Sequence, residues 1–190
     1  MNQEEVDIVE AEPLQARLHG VLRLLEALIA GGELWERVRT LERIEAGSLA
    51  PLVFDCARTK IDVVAEDERD EGRRAVLNLG HTVGHGIEAA TGYARYRHGE
   101  AVALGLLAAL RLSDAPELRA EVEELWRRAG LPVQLDPQVD VEQVLEASAR
   151  DKKRTADGIG FVLVEGPGAV VHGARVEAGS LRAAVEELRP

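Results

Sequence analysis

Apolar positions recur at helical spacing over most of the 190-residue chain. Leu18, Leu22, Leu25 and Ile29 can share one face of a helix from Leu14 to about Ile29, which Gly31-Gly32 stops. A short helix is expected from Glu33 to about Arg43, and Ser48 is an expected N-cap for a longer one through Val53, Cys56, Ile61 and Val64. The charged stretch from Glu66 to Arg74 reads as a turn. A helix from Ala75 to Ala90, broken or bent near Gly80, should follow. Residues 99–112 are apolar almost all round, as in a buried helix. Asp114 and Pro116 open another helix that ends at Gly130-Leu131-Pro132. Residues 140–150 give one more, and Ser180 opens the last. Only 159–175 reads as strand, interrupted by Gly166-Pro167-Gly168. The expected fold is mostly α, a helical domain with one small β-hairpin near the C-terminus.

Composition narrows the function classes. Aromatics are 3% of the chain, so the core rests on Leu, Val, Ile and Ala. The formal net charge of −11 disfavours nucleic acid and anionic membranes as partners. No apolar run reaches the roughly 18 residues of a membrane span. The single Cys56 leaves no disulfide within the chain, and the acidic first residues are unlike a targeting signal. A cytoplasmic setting is the default expectation. A small anionic ligand stays open, because a local cluster of cations can override the global field.

The histidines carry the candidate chemistry. His81, His85 and His98 fall within 18 positions. His81 and His85 stand four residues apart, so on a helix their rings can face one site. Three histidines near a carboxylate suit Zn²⁺. On count alone, two helix-lining histidines and a third on the surface explain the pattern as well. The neighbours favour a site: Asn78 precedes His81 by three residues, Lys60, Arg73 and Arg74 lie upstream, and Asp151-Lys152-Lys153-Arg154 lies downstream. A metal, several cations and an amide could hold a small phosphorylated hydroxy acid.

Four strings appear in order: Lys60-Ile-Asp-Val-Val64, Asp67-Glu-Arg-Asp-Glu-Gly-Arg-Arg74, Leu77-Asn-Leu-Gly-His-Thr-Val-Gly-His85 and His98-Gly-Glu-Ala-Val102. Gly130-Leu-Pro132, Asp151-Lys-Lys153 and Gly160-Phe-Val-Leu163 follow. Together they resemble the 3-dehydroquinate synthases over about residues 27–187, specifically the C-terminal, metal- and substrate-binding half. The resemblance divides the chain into a divergent segment, 1–26, and a family-like helical domain, 27–190.

The resemblance also implies a chemistry: an NAD- and zinc-dependent lyase of the shikimate pathway, with Co²⁺ as an alternative metal. Bound NAD oxidises one alcohol of a seven-carbon sugar-acid phosphate, phosphate leaves, the ketone is reduced, and an aldol step closes a carbocycle. The resemblance makes His81 and His98 the metal ligands, whereas spacing alone pairs His81 with His85. It gives His85 a place beside the metal or the substrate phosphate. Lys60 and Arg74 would hold the substrate carboxylate region, and Asn78 with Lys152 or Lys153 would stand near its phosphate.

The chain departs from the family pattern in two places. No glycine-rich nucleotide-binding turn precedes residue 30, so the chain by itself is expected neither to bind NAD nor to form 3-dehydroquinate. A separate NAD-binding domain or a second copy, as in a homodimer, would cover the apolar faces otherwise left at 14–29 and 99–112. Leu22 and Leu25 stand where the family carries a metal-binding Glu and a substrate-binding Lys; Glu26 is one helical turn beyond Leu22. A related sugar-phosphate cyclase and a non-catalytic metal- or ligand-binding domain are the alternative functions.

Overall fold

The structure is a computed structural model and describes residues 24–40, 46–69, 72–152 and 161–190. Residues 24–30 are helical and form the first element, α1. They are followed by α2 (Gly32–Arg39) and α3 (Ala46–Glu66), a 3-10 helix (Arg73–Asn78), α4 (His81–Ala90), α5 (His98–Leu112), α6 (Pro116–Ala129) and α7 (Val141–Lys152). The hairpin strands β1 (Phe161–Gly166) and β2 (Ala169–Ala174) and a last helix, α8 (Ala178–Glu186), complete the order. The mostly helical architecture with one hairpin is the one expected from the pattern. The helix expected from Leu14 falls, before Leu24, outside the described residues.

Helix α5 is the centre of the core. Every residue from Ala101 to Leu110 is buried, because α4, α6, α8 and β1 all pack on it. That explains its lack of a polar face. Trp126 of α6 is fully buried, and its indole N–H donates to the Ala103 carbonyl at 3.2 Å. The hydroxyl of Ser113 accepts from the Val164 N–H at 2.9 Å and ties the end of α5 to the hairpin.

Glycines decide how closely α4 and α5 approach. A Cβ on Gly105 would lie 2.0 Å from the Gly80 carbonyl oxygen and 2.7 Å from the Gly84 nitrogen. One on Gly84 would meet Val102 at 3.1 Å. Residues 80, 84 and 88 therefore face 105, 102 and 98 in turn, and the two helices run antiparallel. On another side of α4, a Cβ on Gly86 would lie 2.2 Å from the Ser148 hydroxyl of α7. The hairpin is held at its tip: the Gly168 N–H donates to the Leu28 carbonyl at 2.9 Å, and Gly31, at φ 67°, faces Gly168 with no room for a side chain.

Three local expectations are corrected, and one is narrowed. Helix α3 is already helical at Ala46, so Ser48 lies inside it rather than capping it, and Pro51 is accommodated within the helix. Near Gly80 the chain is broken rather than bent: Ala75 to Ala90 is two elements, because Leu79 is extended and Gly80 is left-handed at φ 76°. Ala115 precedes α6 with Pro116 in its first turn, while Asp114 takes a left-handed turn conformation at φ 52°. Helix α8 starts after Glu177, so Ser180 sits within it.

Gly105→Ala should destabilise the protein by at least about 2 kcal/mol, since the atoms in the way are backbone and cannot move aside. Gly179→Ala, in α8 with open space around it, should be neutral or stabilising by up to about 1 kcal/mol. Urea unfolding of the two variants checks the contrast; equal stabilities would contradict the close α4–α5 packing.

Candidate metal and substrate site

The antiparallel pairing of α4 and α5 brings the three histidines together. His81 begins α4, His85 is one turn along it, and His98 is the first residue of α5. Ring centroids are 5.5 Å apart for His81–His85, 5.4 Å for His81–His98 and 5.8 Å for His85–His98. Two imidazoles on a tetrahedral zinc, with Zn–N of about 2.0–2.1 Å, have centroids separated by about 5.2 Å. The triangle is thus close to that of rings sharing one ion.

Hydrogen bonds fix how two of the rings face. His81 Nδ1 lies 3.1 Å from the Leu79 carbonyl oxygen, and His98 Nδ1 lies 3.1 Å from Glu88 Oε1. A carbonyl oxygen can only accept, and so can a carboxylate when ionised, so each imidazole in its neutral form would donate from Nδ1 and keep the Nε2 lone pair. Metal-ligating histidines carry this same feature, an outer partner on the second nitrogen. The extended Leu79 is what aims its carbonyl back at His81, so the break before α4 has a use in the site. Glu88 is buried, at 7% exposure. One nitrogen each of His85 and His98 and one Glu88 oxygen also lie within 4.8 Å of one another, a second, overlapping donor set.

The other sequence candidates are dispersed around this centre. Lys60 is exposed on α3, which packs against the 3-10 helix. Arg74 is half-buried in that 3-10 helix, and its guanidinium donates to the Glu68 carbonyl at 3.2 Å. The Asp67 carboxylate accepts from the Gly72 and Arg74 N–H groups at 2.9 and 3.0 Å and shapes the turn that presents Arg74. Asn78 ends the 3-10 helix, so it does not share a helical face with His81 and His85 as its spacing predicts; Leu79-Gly80 turn the chain between them. Asn78 instead lines a recess with Thr82, Val83, Gly105 and Phe161. Lys152 is the last residue of α7. Its side chain, all of Lys153, and Leu22 lie outside the described residues. Glu26 is buried at 5% exposure, beside buried Leu25. Sequence reasoning did not single out Glu88; its place three residues after His85 was the available signal.

The sequence profile of the family described as 3-dehydroquinate synthase C-terminal matches residues 24–154. The 3-dehydroquinate synthase of Gloeobacter violaceus is 41% identical over 170 residues, 85% of this chain and 47% of its own length. That of Leptospira interrogans is 38% identical over 154 residues, 76% of this chain and 42% of its own. The chain belongs to the 3-dehydroquinate synthase C-terminal family, and it spans about half the length of the curated relatives it matches.

Solved structures share the fold. A 2-deoxy-scyllo-inosose synthase, complexed with carbaglucose-6-phosphate, NAD⁺ and Co²⁺, superposes with a TM-score of 0.76 at 21% identity over 92% of this chain and 53% of its own. A 2-epi-5-epi-valiolone synthase from Streptomyces hygroscopicus, with NAD⁺ and Zn²⁺ bound, gives 0.74 at 22% identity over 91% and 51%. Among the described residues, no helix is long and apolar enough to cross a membrane.

Burial pulls the His81 pKa below the usual histidine range. The Leu79 carbonyl opposes that shift, and His85 and His98 reinforce it. The unfolded chain, with a pKa of about 6.5, then binds more protons than the folded protein between the two values. His81 stabilises the fold fully above about pH 6.5, and the contribution is lost as pH falls through its lowered folded value. In metal-free protein, the urea midpoint should drop more steeply from about pH 7.5 to about pH 5 than in His81→Gln. Parallel slopes would contradict the assignment.

Proposed function

We propose that this chain supplies the metal- and substrate-binding half of a 3-dehydroquinate synthase, an NAD- and metal-dependent lyase that expels phosphate and closes a carbocycle. The observation that carries the reading is the convergence of His81 and His98 with both Nδ1 atoms already engaged. Each neutral ring then leaves its Nε2 lone pair for a cation, with the two ring centroids 5.4 Å apart, and the donor chemistry fits Zn²⁺ or Co²⁺. Of the two overlapping donor sets we favour this one, since Glu88 as a ligand would have to give up the hydrogen bond that orients His98.

Zn²⁺ or Co²⁺ held there would act as a Lewis acid on substrate hydroxyls. The chain's own residues do the rest. His85, exposed at the mouth of the cluster, contacts the substrate near its phosphate and moves protons there. Lys60 and Arg74 hold the carboxylate end, and Asn78 with Lys152 or Lys153 holds the phosphate end. Fixing both anionic ends orients the ring carbons for elimination and closure. A separate domain or partner polypeptide would hold NAD, which would supply the hydride chemistry. Identities of 38–41% to 3-dehydroquinate synthases, against 21–22% to the two carbocycle-forming neighbours, favour the sugar acid over a carboxylate-free sugar phosphate.

The test is a chimera in which residues 27–190 replace the matching half of the Gloeobacter enzyme. It should release phosphate from the seven-carbon sugar-acid phosphate, with the rate cut by about 100-fold or more in His81→Ala. The unfused chain, given the same substrate, NAD⁺ and Zn²⁺, should release none. A folded chimera that binds NAD⁺ and Zn²⁺ yet leaves this substrate untouched would contradict the reading. Turnover of a carboxylate-free sugar phosphate instead would move the chain to the sister activity.

A further inference from the structure

Helix α4 carries, besides two of the three histidines, a carboxylate that sequence reasoning passes over. Glu88 lies seven residues beyond His81 and three beyond His85, on the stretch of α4 that faces the start of α5. Its residue surface is 7% exposed, and its Oε1 sits 3.1 Å from His98 Nδ1. Burying a carboxylate is costly unless it is hydrogen-bonded, so a side chain in this position needs a partner. The partner the structure shows is His98, whose own side chain is 47% exposed. Held at the very start of a helix and open on one side, that ring touches the His81 and His85 rings, which do not choose between its two nitrogens. The hydrogen bond does so instead.

We propose that Glu88 is the positioning residue of His98: its carboxylate accepts the Nδ1–H, locks the imidazole in that tautomer and aims Nε2 at the point His81 also faces. The inference rests on the metal site proposed above and adds a residue to it. His81 reaches the same tautomer through the Leu79 carbonyl, so one ligand is set by backbone and the other by a side chain. The carboxylate also makes its imidazole a better electron donor than a carbonyl partner does, which strengthens the bond to a cation at Nε2. Because Glu88 and His81 share one helix, α4 fixes both the first ligand and the orientation of the second. Any shift of α5 along α4 would break the pair before it separated the rings.

Nitrogen-15 NMR of the imidazoles, at about pH 8 where a histidine of ordinary pKa is neutral, reads the tautomers without any metal. In the parent protein His98 and His81 should both be protonated at Nδ1. In Glu88→Leu, His98 should move toward the Nε2–H form while His81 stays unchanged, which also reports that the fold is intact. Glu88→Gln keeps an acceptor oxygen and should restore the Nδ1–H form. Cobalt titration forms the second arm: Co²⁺ affinity should fall by about 10–100-fold in Glu88→Leu and less in Glu88→Gln, with the visible spectrum of the saturated protein unchanged. An unchanged His98 tautomer in Glu88→Leu overturns the proposal. So does a changed cobalt spectrum in Glu88→Gln, which would make Glu88 a ligand itself. Failure of the parent to bind Co²⁺ would refute the metal site and leave the tautomer arm to decide the role of Glu88 alone.

Discussion

Everything in the site depends on how closely α4 and α5 can approach. Gly80, Gly84 and Gly105 remove the side chains that would hold the two helices apart, and the Gly80 carbonyl comes within 2.0 Å of where a Cβ on Gly105 would be. At ordinary helix spacing, about 8–10 Å between axes with side chains interleaved, the start of α5 would stand farther from α4. His98 would then lose both Glu88 and the two rings of α4. The constraint is steric and local, but its consequence is chemical: three imidazoles from two helices share one small volume. Helix α7 repeats the device on another side of α4, where Gly86 makes room for the buried Ser148. A helix so confined has little freedom to rotate, and its histidines inherit that rigidity.

Much of this was legible in the residues. The all-apolar run at 99–112 announced a buried helix, and α5 is that helix, but α4, α6, α8 and β1 cover it from within the chain, so it does not leave the apolar face that was expected to need a partner. The Gly166-Pro167-Gly168 turn between two β-branched runs announced the hairpin. The three histidines were singled out by their clustering, and they do come together. Gly80 marked a break or a bend within the helical spacing from Ala75 to Ala90, and the structure shows a break; a glycine in a helical pattern does not by itself say which. The break moved Asn78 off the histidine face and supplied the Leu79 carbonyl to His81. The caps assigned to Ser48 and Ser180 failed for a related reason. A serine near a helix start signals the neighbourhood, while the backbone decides the residue.

Glu88 shows a different limit. In the sequence it is one of 34 acidic residues, and its place three residues after His85 is a signal that a solvated glutamate on the same helix would give equally well. Its meaning comes from burial and from a partner ten residues away across a turn, and both are tertiary facts. The overall charge of −11 was similarly uninformative about the ligand. Ion pairs absorb many of the acidic groups at the surface: Arg37 with Asp55, Arg111 with Glu187, Arg182 with Glu142.

The central claim is that His81 and His98 are metal ligands in a site where Leu22 stands in place of the family's carboxylate. A zinc titration on the parent protein, His81→Ala and Leu22→Glu tests it most directly. An apolar side chain cannot replace a ligand, so water must fill that position in the parent. The account predicts weak binding by the parent, a further loss of about tenfold or more in His81→Ala, and a gain of at least about tenfold in Leu22→Glu, each tenfold step being about 1.4 kcal/mol. A parent that binds as tightly as Leu22→Glu, or a His81→Ala variant that binds like the parent, would contradict it.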